Sequence, residues 1–235
     1  MADVTGYTAI VTGASKGLGK AITLRLAQGG ARVFAAARSQ EALQKLANEN
    51  PDHILPVTCD VTQSDQVQHL IHTAVKQAGK LDILINNAGL GHFGKVQDLT
   101  EEEWDQMMDV NLKGVFLACK YAIPHLIRQK GHIVNISSIA GTVTFPKGGG
   151  YCASKFGLMA LSDVLTQELK QKEVRVTTVC PGSIQTEFFG EAGPKPYYLQ
   201  PEQVAEAVYT AVAAPKEVIF NQIVMRPQVP PEQQK

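Results

Sequence analysis

Tyr7-Thr8-Ala9-Ile10-Val11-Thr12-Gly13-Ala14-Ser15-Lys16-Gly17-Leu18-Gly19 is the stretch on which the reading of the chain turns. Residues 7–11 are largely apolar and β-branched, as a buried strand requires. Residues 18–28 carry apolar side chains at helical spacing. Between them lie three glycines in the pattern GxxxGxG, which differs from the commoner GxGxxG. Glycine allows a tight turn and lets backbone N–H groups approach an anion, and the N-terminus of the next helix adds a favourable dipole. A strand, a glycine turn and a helix in that order form a cradle for a dinucleotide pyrophosphate. Gly13, Ser15, Lys16, Gly17, Leu18 and Gly19 are its candidate residues.

Outward from the cradle, short β-branched runs alternate with longer helical patterns. Strands are expected at 7–11, 32–36, 54–58, 83–85, 132–136, 175–179 and 218–225. Helices are expected at 18–28, 41–48, 64–77, 101–128, 151–172 and 201–212. Strands separated by helices of this length are joined by crossovers, not hairpins. They predict an α/β fold: a doubly wound parallel sheet of about seven strands with helices on both faces. No linker or repeat divides the chain, so residues 1–235 read as one dinucleotide-binding and catalytic domain. Gly148-Gly149-Gly150 reads as a flexible approach to the next helix, and 227–235, with three prolines and three glutamines, as a frayed tail.

Composition narrows the classes of function. The 235 residues include 22 basic and 22 acidic side chains and 44% hydrophobic ones, the balance of a folded globular chain. A net charge of zero gives no electrostatic case for nucleic acid or an anionic membrane as partner. Cys59, Cys119, Cys152 and Cys180 show neither zinc-ligand nor disulfide-framework spacing, and His69 and His72 read as surface residues without a third ligand, so no metal is expected. Free thiols, no basic-then-apolar start and no long apolar run make a cytoplasmic protein the expectation.

The second strand ends Ala35-Ala36-Ala37-Arg38, with no acid before Glu41. An acidic residue there would grip the ribose hydroxyls of NAD(H). Arg38 and Lys16, two cations with no opposing carboxylate in sequence, favour the 2′-phosphate of NADP(H) instead. Tyr151 and Lys155 stand four residues apart on one expected helix face. An ammonium beside a phenol lowers the phenol's pKa toward the working range, and the pair can then exchange a proton with an alcohol or carbonyl oxygen. Ser138, just beyond the fifth strand, can hydrogen-bond that oxygen or simply cap a turn.

Taken together these motifs resemble the short-chain dehydrogenase/reductase family, a Rossmann-like fold, in its short single-domain branch. The resemblance runs from Thr12 to about Thr186. It includes the glycine loop, Asp60, Asn86-Asn87-Ala88-Gly89, Asn111, Ser138, the Tyr151/Lys155 pair, Pro181-Gly182 and Thr186. It implies that Tyr151 is the general acid in reduction, that Lys155 tunes it and holds the nicotinamide ribose, that Ser138 orients the substrate carbonyl, and that Asn111 holds a relay water. It also implies that Asp60 and Val61 lie against adenine, that Asn87, Ala88 and Gly89 line the cofactor, and that Pro181, Gly182, Ile184 and Thr186 position the carboxamide. Homo-oligomers, tetramers or dimers, built on the helices at 101–128 and 151–172, are implied as well. Val115, Phe116, Leu158, Leu161 and Leu165 on those helices equally suit packing within the subunit.

The expected function is NADPH-dependent reduction of a small-molecule carbonyl to its alcohol. Residues 187–200 fall where the family places a substrate-covering segment, and Phe188, Phe189, Tyr197 and Tyr198 there suit an apolar ketone, or equally cap the core or an interface. A second reading is a 3-oxoacyl-(acyl-carrier-protein or CoA) reductase, for which Arg128, Lys130 and Lys172 supply basic residues. The ending Ile223-Val224-Met225-Arg226-Pro227 departs from the glycine-rich close usual in such enzymes. A third reading is an NADP(H)-binding sensor without turnover, which would not need Asn111, Ser138, Tyr151 and Lys155 together.

Overall fold

A computed structural model describes residues 3–188 and 195–228. Phe189, Gly190, Gly193 and Pro194 of the expected covering segment and 229–235 of the expected tail lie outside the described residues.

Strands β1 (Thr8–Thr12), β4 (Ile83–Asn86), β5 (His132–Ile136) and β6 (Arg175–Pro181) are buried at every position. That is why they read as near-continuous apolar runs: both faces of a parallel sheet are covered. With β2 (Arg32–Ala37), β3 (Ile54–Thr58) and β7 (Gln222–Met225) they form one sheet in the order β3-β2-β1-β4-β5-β6-β7, every pair parallel. The two edge strands β3 and β7 are the ones with alternating exposure. The winding reverses between β1 and β4, which opens a crevice beyond their carboxyl ends.

The strand period of two sorts side chains into two cores. Ala9, Val11, Val33, Ala35, Ile83, Ile85 and Val134 face α1 (Gly17–Gln28), α2 (Gln40–Glu49) and α7 (Pro201–Ala213). Ile10, Phe34, Leu84, Ile133 and Val176 face α3 (Ser64–Ala78), α5 (Gly114–Gln129) and α6 (Gly149–Leu169). Val115, Leu158 and Leu165 turn into this second core and Leu161 packs against it, whereas Phe116 is 48% exposed.

Three elements differ from the sequence reading. The spacing predicts one helix over 101–128. The chain instead forms α4 (Glu101–Met108), a π-helical stretch Asp109–Lys113, and then α5. The helical apolar period continues across the break, so periodicity alone could not reveal it. The last strand is Gln222–Met225 and not the whole of 218–225, because Val218–Asn221 has no strand partner. Gly148-Gly149-Gly150 is not a flexible approach: Gly148 caps α6 and the other two lie in its first turn. Met107 of α4 packs against Gly150, where a Cβ would force its Cε to shift.

Arg175 opens β6 and is 5% exposed. Its Nη1 donates to the carbonyls of Ala214 (3.1 Å), Val218 (3.3 Å) and Pro215 (3.4 Å), and its Nη2 to Val212 (3.3 Å). The guanidinium thus satisfies carbonyls that the end of α7 leaves open and ties that end to the sheet. Arg175→Ala is expected to lower the unfolding free energy by roughly 2–4 kcal/mol, because four carbonyls, that of Val212 buried, lose a charged donor. Urea titration followed by circular dichroism measures it; a loss under about 1 kcal/mol would show that water satisfies those carbonyls.

Candidate functional site

The sequence-selected residues gather beyond the carboxyl ends of the strands. At the end of β1, Thr12 Oγ1 accepts from the backbone N–H groups of Asn87 (3.0 Å) and Ala88 (3.2 Å). Asn87 Nδ2 in return donates to the carbonyls of Thr12 (2.9 Å) and Gly13 (3.2 Å). These four bonds lock the glycine turn to the end of β4. Gly13 has φ +65°, and a Cβ on it would stand 2.8 Å from Ala88 Cα. A Cβ on Gly19 would collide with the Gly13 carbonyl oxygen. The loop is therefore bare backbone laid flat at the start of α1, with Ser15 half-buried and Leu18 turned into the core. A dinucleotide pyrophosphate fits this shape and this dipole.

Arg38 follows β2 and is exposed, with no ion pair among the described residues. The nearest acid in sequence, Glu41, is held by Lys45 (2.7 Å). Asp60 follows β3, and its Oδ1 accepts from the backbone N–H (3.0 Å) and hydroxyl (2.8 Å) of Thr62. Val61 is buried and fills the space that Gly114 leaves open. One premise of the sequence reading fails here: Lys16 does have an opposing carboxylate. Its Nζ lies 2.8 Å from Glu187 Oε2, with the side chains 72% and 79% exposed. The partners are 171 residues apart in sequence, so no local pattern shows the pair. Exposed pairs of this kind contribute little and exchange readily.

Helix α6 starts just before Tyr151 and carries Lys155 one turn later. Both side chains are buried, 9% and 4% exposed. Lys155 Nζ donates to the carbonyl of Ile136, the last residue of β5 (3.0 Å), and lies 5.7 Å from the centre of the Tyr151 ring. Burial lowers the Lys155 pKa to about 8. Burial also pushes the Tyr151 phenol up to about 12, with a hydrogen bond from Ser138 to the phenolate working the other way. Burial is thus the larger influence on the phenol. The phenolate is costly in an apolar surround of Met107, Ala140, Leu90, Leu99 and Phe188, and desolvation dominates.

Ser138 takes up the capping reading: its Oγ accepts from Ala140 N (3.1 Å), capping a short 3₁₀ turn, and donates to Pro181 O (3.5 Å). Asn111 lies in the π-helical stretch with no exposure. Its Nδ2 donates to Leu90 O (2.8 Å) and Ser154 Oγ (3.0 Å), and its Oδ1 accepts from Leu90 N (2.9 Å). A Cβ on Gly89 would stand 3.3 Å from Asn111 Oδ1 and 3.6 Å from Lys155 Nζ, so Gly89 keeps both polar groups open to one space. Beyond β6, Gly182 N–H donates to Met225 O (2.7 Å). Ile184 pairs with Leu199. Thr186 rests against Gly17. These residues, with Pro181, wall the same crevice.

Two residues were not singled out from sequence. Phe93 sits edge-on to Tyr151 with ring centres 5.5 Å apart, and Phe145 lies 6.1 Å from Phe93. Phe188 completes the group, 5.6 Å from Tyr151 and 6.2 Å from Phe93. Phe93 and Phe145 come from two irregular loops with no hydrophobic period, so nothing in sequence marks them. Tyr197 and Tyr198 pair edge-on with each other at 5.4 Å.

Among the described residues no helix is long and apolar enough to cross a membrane. The profile of the short chain dehydrogenase family matches residues 7–196. An uncharacterized oxidoreductase of Staphylococcus aureus (strain USA300) is 38% identical over 230 residues, covering 97% of this chain and 100% of the relative. A solved alcohol dehydrogenase from the archaeon Thermococcus sibiricus, complexed with 5-hydroxy-NADP, shares 33% identity. It covers 95% of this chain and 98% of its own, with a TM-score of 0.90. A 3-ketoacyl-(acyl-carrier-protein) reductase from Brucella melitensis, complexed with NADH, shares 28% identity over 95% of this chain and 97% of its own, with a TM-score of 0.88. A phenol, an ammonium and a serine gathered over a flat glycine loop on this sheet, in a chain that aligns with such relatives nearly end to end, make it an oxidoreductase of the short-chain dehydrogenase/reductase family, whose members use NAD or NADP.

Proposed function

We propose that this chain reduces a ketone or aldehyde to an alcohol with NADPH as reductant and Tyr151 as general acid. The observation that carries this reading is the buried Tyr151 phenol with buried Lys155 one helical turn on, its Nζ 5.7 Å from the centre of the phenol ring. When bound, NADPH would supply the hydride that goes to the carbonyl carbon. Ser138 Oγ and Tyr151 Oη hold the carbonyl oxygen, and the Tyr151 O–H bond breaks as that oxygen takes its proton. The Lys155 ammonium stabilises the phenolate left behind, most strongly because both lie out of water. Asn111 holds the backbone of Leu90 in place beside Lys155. Glycines 13, 17 and 19 receive the pyrophosphate, and Asp60, Val61 and Asn87–Gly89 line the adenosine side.

The preference for the 2′-phosphate rests on Arg38, since the two solved relatives hold different nicotinamide dinucleotides. Arg128, Lys130 and Lys172 precede β5 and β6, at the end of the sheet opposite Tyr151. That placement favours a free carbonyl compound over one delivered on an acidic carrier. Exposed Phe116 on α5 and Phe156 and Val164 on α6 support a homo-oligomer.

Three outcomes check the reading. Tyr151→Phe should cut kcat about a hundredfold or more while the Kd for NADPH stays near the parent value; a variant with most of its kcat would remove Tyr151 from the role. Arg38→Asp should weaken NADPH roughly ten- to hundredfold and NADH far less; equal weakening would place Arg38 away from the 2′-phosphate. The third concerns pH. The cationic form of Lys155 is the one that attracts the dinucleotide, and it is lost as pH rises through about 8. NADPH affinity should therefore fall across that interval, and in Lys155→Ala it should be low throughout with no inflection there. An inflection surviving in the variant would assign it to another group.

A further inference from the structure

We infer that Phe93 is a substrate-selecting residue, and that the ring wall it builds with Phe145 and Phe188 makes an aryl carbonyl the preferred substrate class. This rests on the reductase reading above and says which carbonyl that site takes. A substrate oxygen bonded to Tyr151 Oη must bring its substituents past the side chains that cover Tyr151, which is itself 9% exposed. Two of those side chains are phenyl rings. Phe93 and Phe188 lie 5.5 Å and 5.6 Å from the Tyr151 ring, tilted or edge-on. Phe93 keeps 43% and Phe145 keeps 44% of its surface in water, so the wall has open apolar faces beside the phenol. Open apolar faces at a crevice mouth mark a place where a ligand is covered. Ring centres 4.5–7 Å apart in tilted geometry are the separations at which aromatic rings attract, and a further ring placed against Phe93 meets that condition. A short aliphatic chain would leave most of both phenyl faces in water.

The seat of the wall is as specific as the rings. A Cβ on Gly91 would stand 2.9 Å from Phe93 Cζ and 3.0 Å from Phe188 Cζ. Glycine at 91 therefore lets two ring tips, from loops far apart in sequence, converge on one spot of backbone.

The test measures kcat/KM for acetophenone and for butanone with saturating NADPH and reads their ratio, which does not depend on how much of a variant is folded. Phe93→Ala should lower the acetophenone-to-butanone ratio about tenfold. Gly91→Ala, which displaces the ring tips without removing them, should lower it in the same direction and decides the matter if Phe93→Ala does not fold. A ratio within about threefold of the parent in the deciding variant overturns the inference. A parent enzyme that reduces neither ketone refutes the reductase reading separately. The inference is then decided by calorimetry of benzamide, a non-reducible aryl carbonyl, with the NADP⁺-loaded protein: affinity that drops about tenfold in Phe93→Ala upholds it, and absent or unchanged binding overturns it.

Discussion

The Lys155 ammonium stands almost wholly out of water and is anchored by the carbonyl that ends β5. A buried cation is expensive unless it is bonded and has a negative partner. Burial brings its pKa down to about 8, which still leaves a cation at neutral pH. The same burial moves the neighbouring phenol up to about 12. Desolvation therefore pushes both groups toward their neutral forms. In the proposed reaction the lysine would act on the phenolate and not on the resting phenol, lowering the energy of the state in which the proton has left.

That arrangement works only if α6 is held in one register against the ends of β4 and β5. Apolar packing alone, through Leu158, Leu165 and Leu169, would tolerate small slips. Buried polar contacts on the same helix do not. Ser154 Oγ accepts from Asn111 Nδ2, and Ser162 Oγ accepts from Asn135 Nδ2 (2.9 Å), which in turn belongs to an asparagine pair: Asn86 Nδ2 donates to Asn135 Oδ1 (2.8 Å). Ser154, Lys155 and Ser162 lie along one face of α6 and are each bonded to a different neighbour. A shift of one residue would leave buried donors without acceptors, at a cost of about 1–3 kcal/mol for each.

The parts of this structure that were legible in sequence are those with a local signature. β1 and β4 announce themselves by apolar runs because both their faces are covered, β5 and β6 by β-branched residues around buried Asn135, Thr177 and Thr178, and alternation with helices then forces a parallel winding. The glycine loop is visible because its backbone demands glycine. What was not legible depends on partners distant in sequence or on burial. The π-helical stretch that aims Asn111 leaves the apolar period of 101–128 undisturbed. The Lys16–Glu187 pair joins the two ends of the site. The rise of the Tyr151 pKa follows from Met107, Ala140 and Phe188 around it, none of which is in the YxxxK pattern. Phe93 and Phe145 lie in loops, where no period singles out one side chain from another.

Cofactor side and substrate side are not separate surfaces in this chain. Three consecutive residues after β6 touch three different parts of the site: Thr186 rests on Gly17, Glu187 pairs with Lys16, and Phe188 packs on Tyr151. Just before them, the Gln185 N–H donates to Leu199 O (2.8 Å) and the Leu199 N–H to Ser183 O (3.0 Å), which fastens the returning chain to the same stretch. The partner of Lys16 and the ring packed on Tyr151 are thus adjacent in the backbone, Glu187 and Phe188. Glu187 and Phe188 lie in a 3₁₀ turn, where a residue advances about 2 Å, so a displacement of Glu187 by even part of that length must be absorbed at Phe188 or at Thr186. Thr186 is the stiffer end, being β-branched and set against a glycine turn fixed by the Asn87 bonds. The two neighbours of Glu187 are thus held by different parts of the site, Thr186 against the glycine turn and Phe188 against the Tyr151 ring.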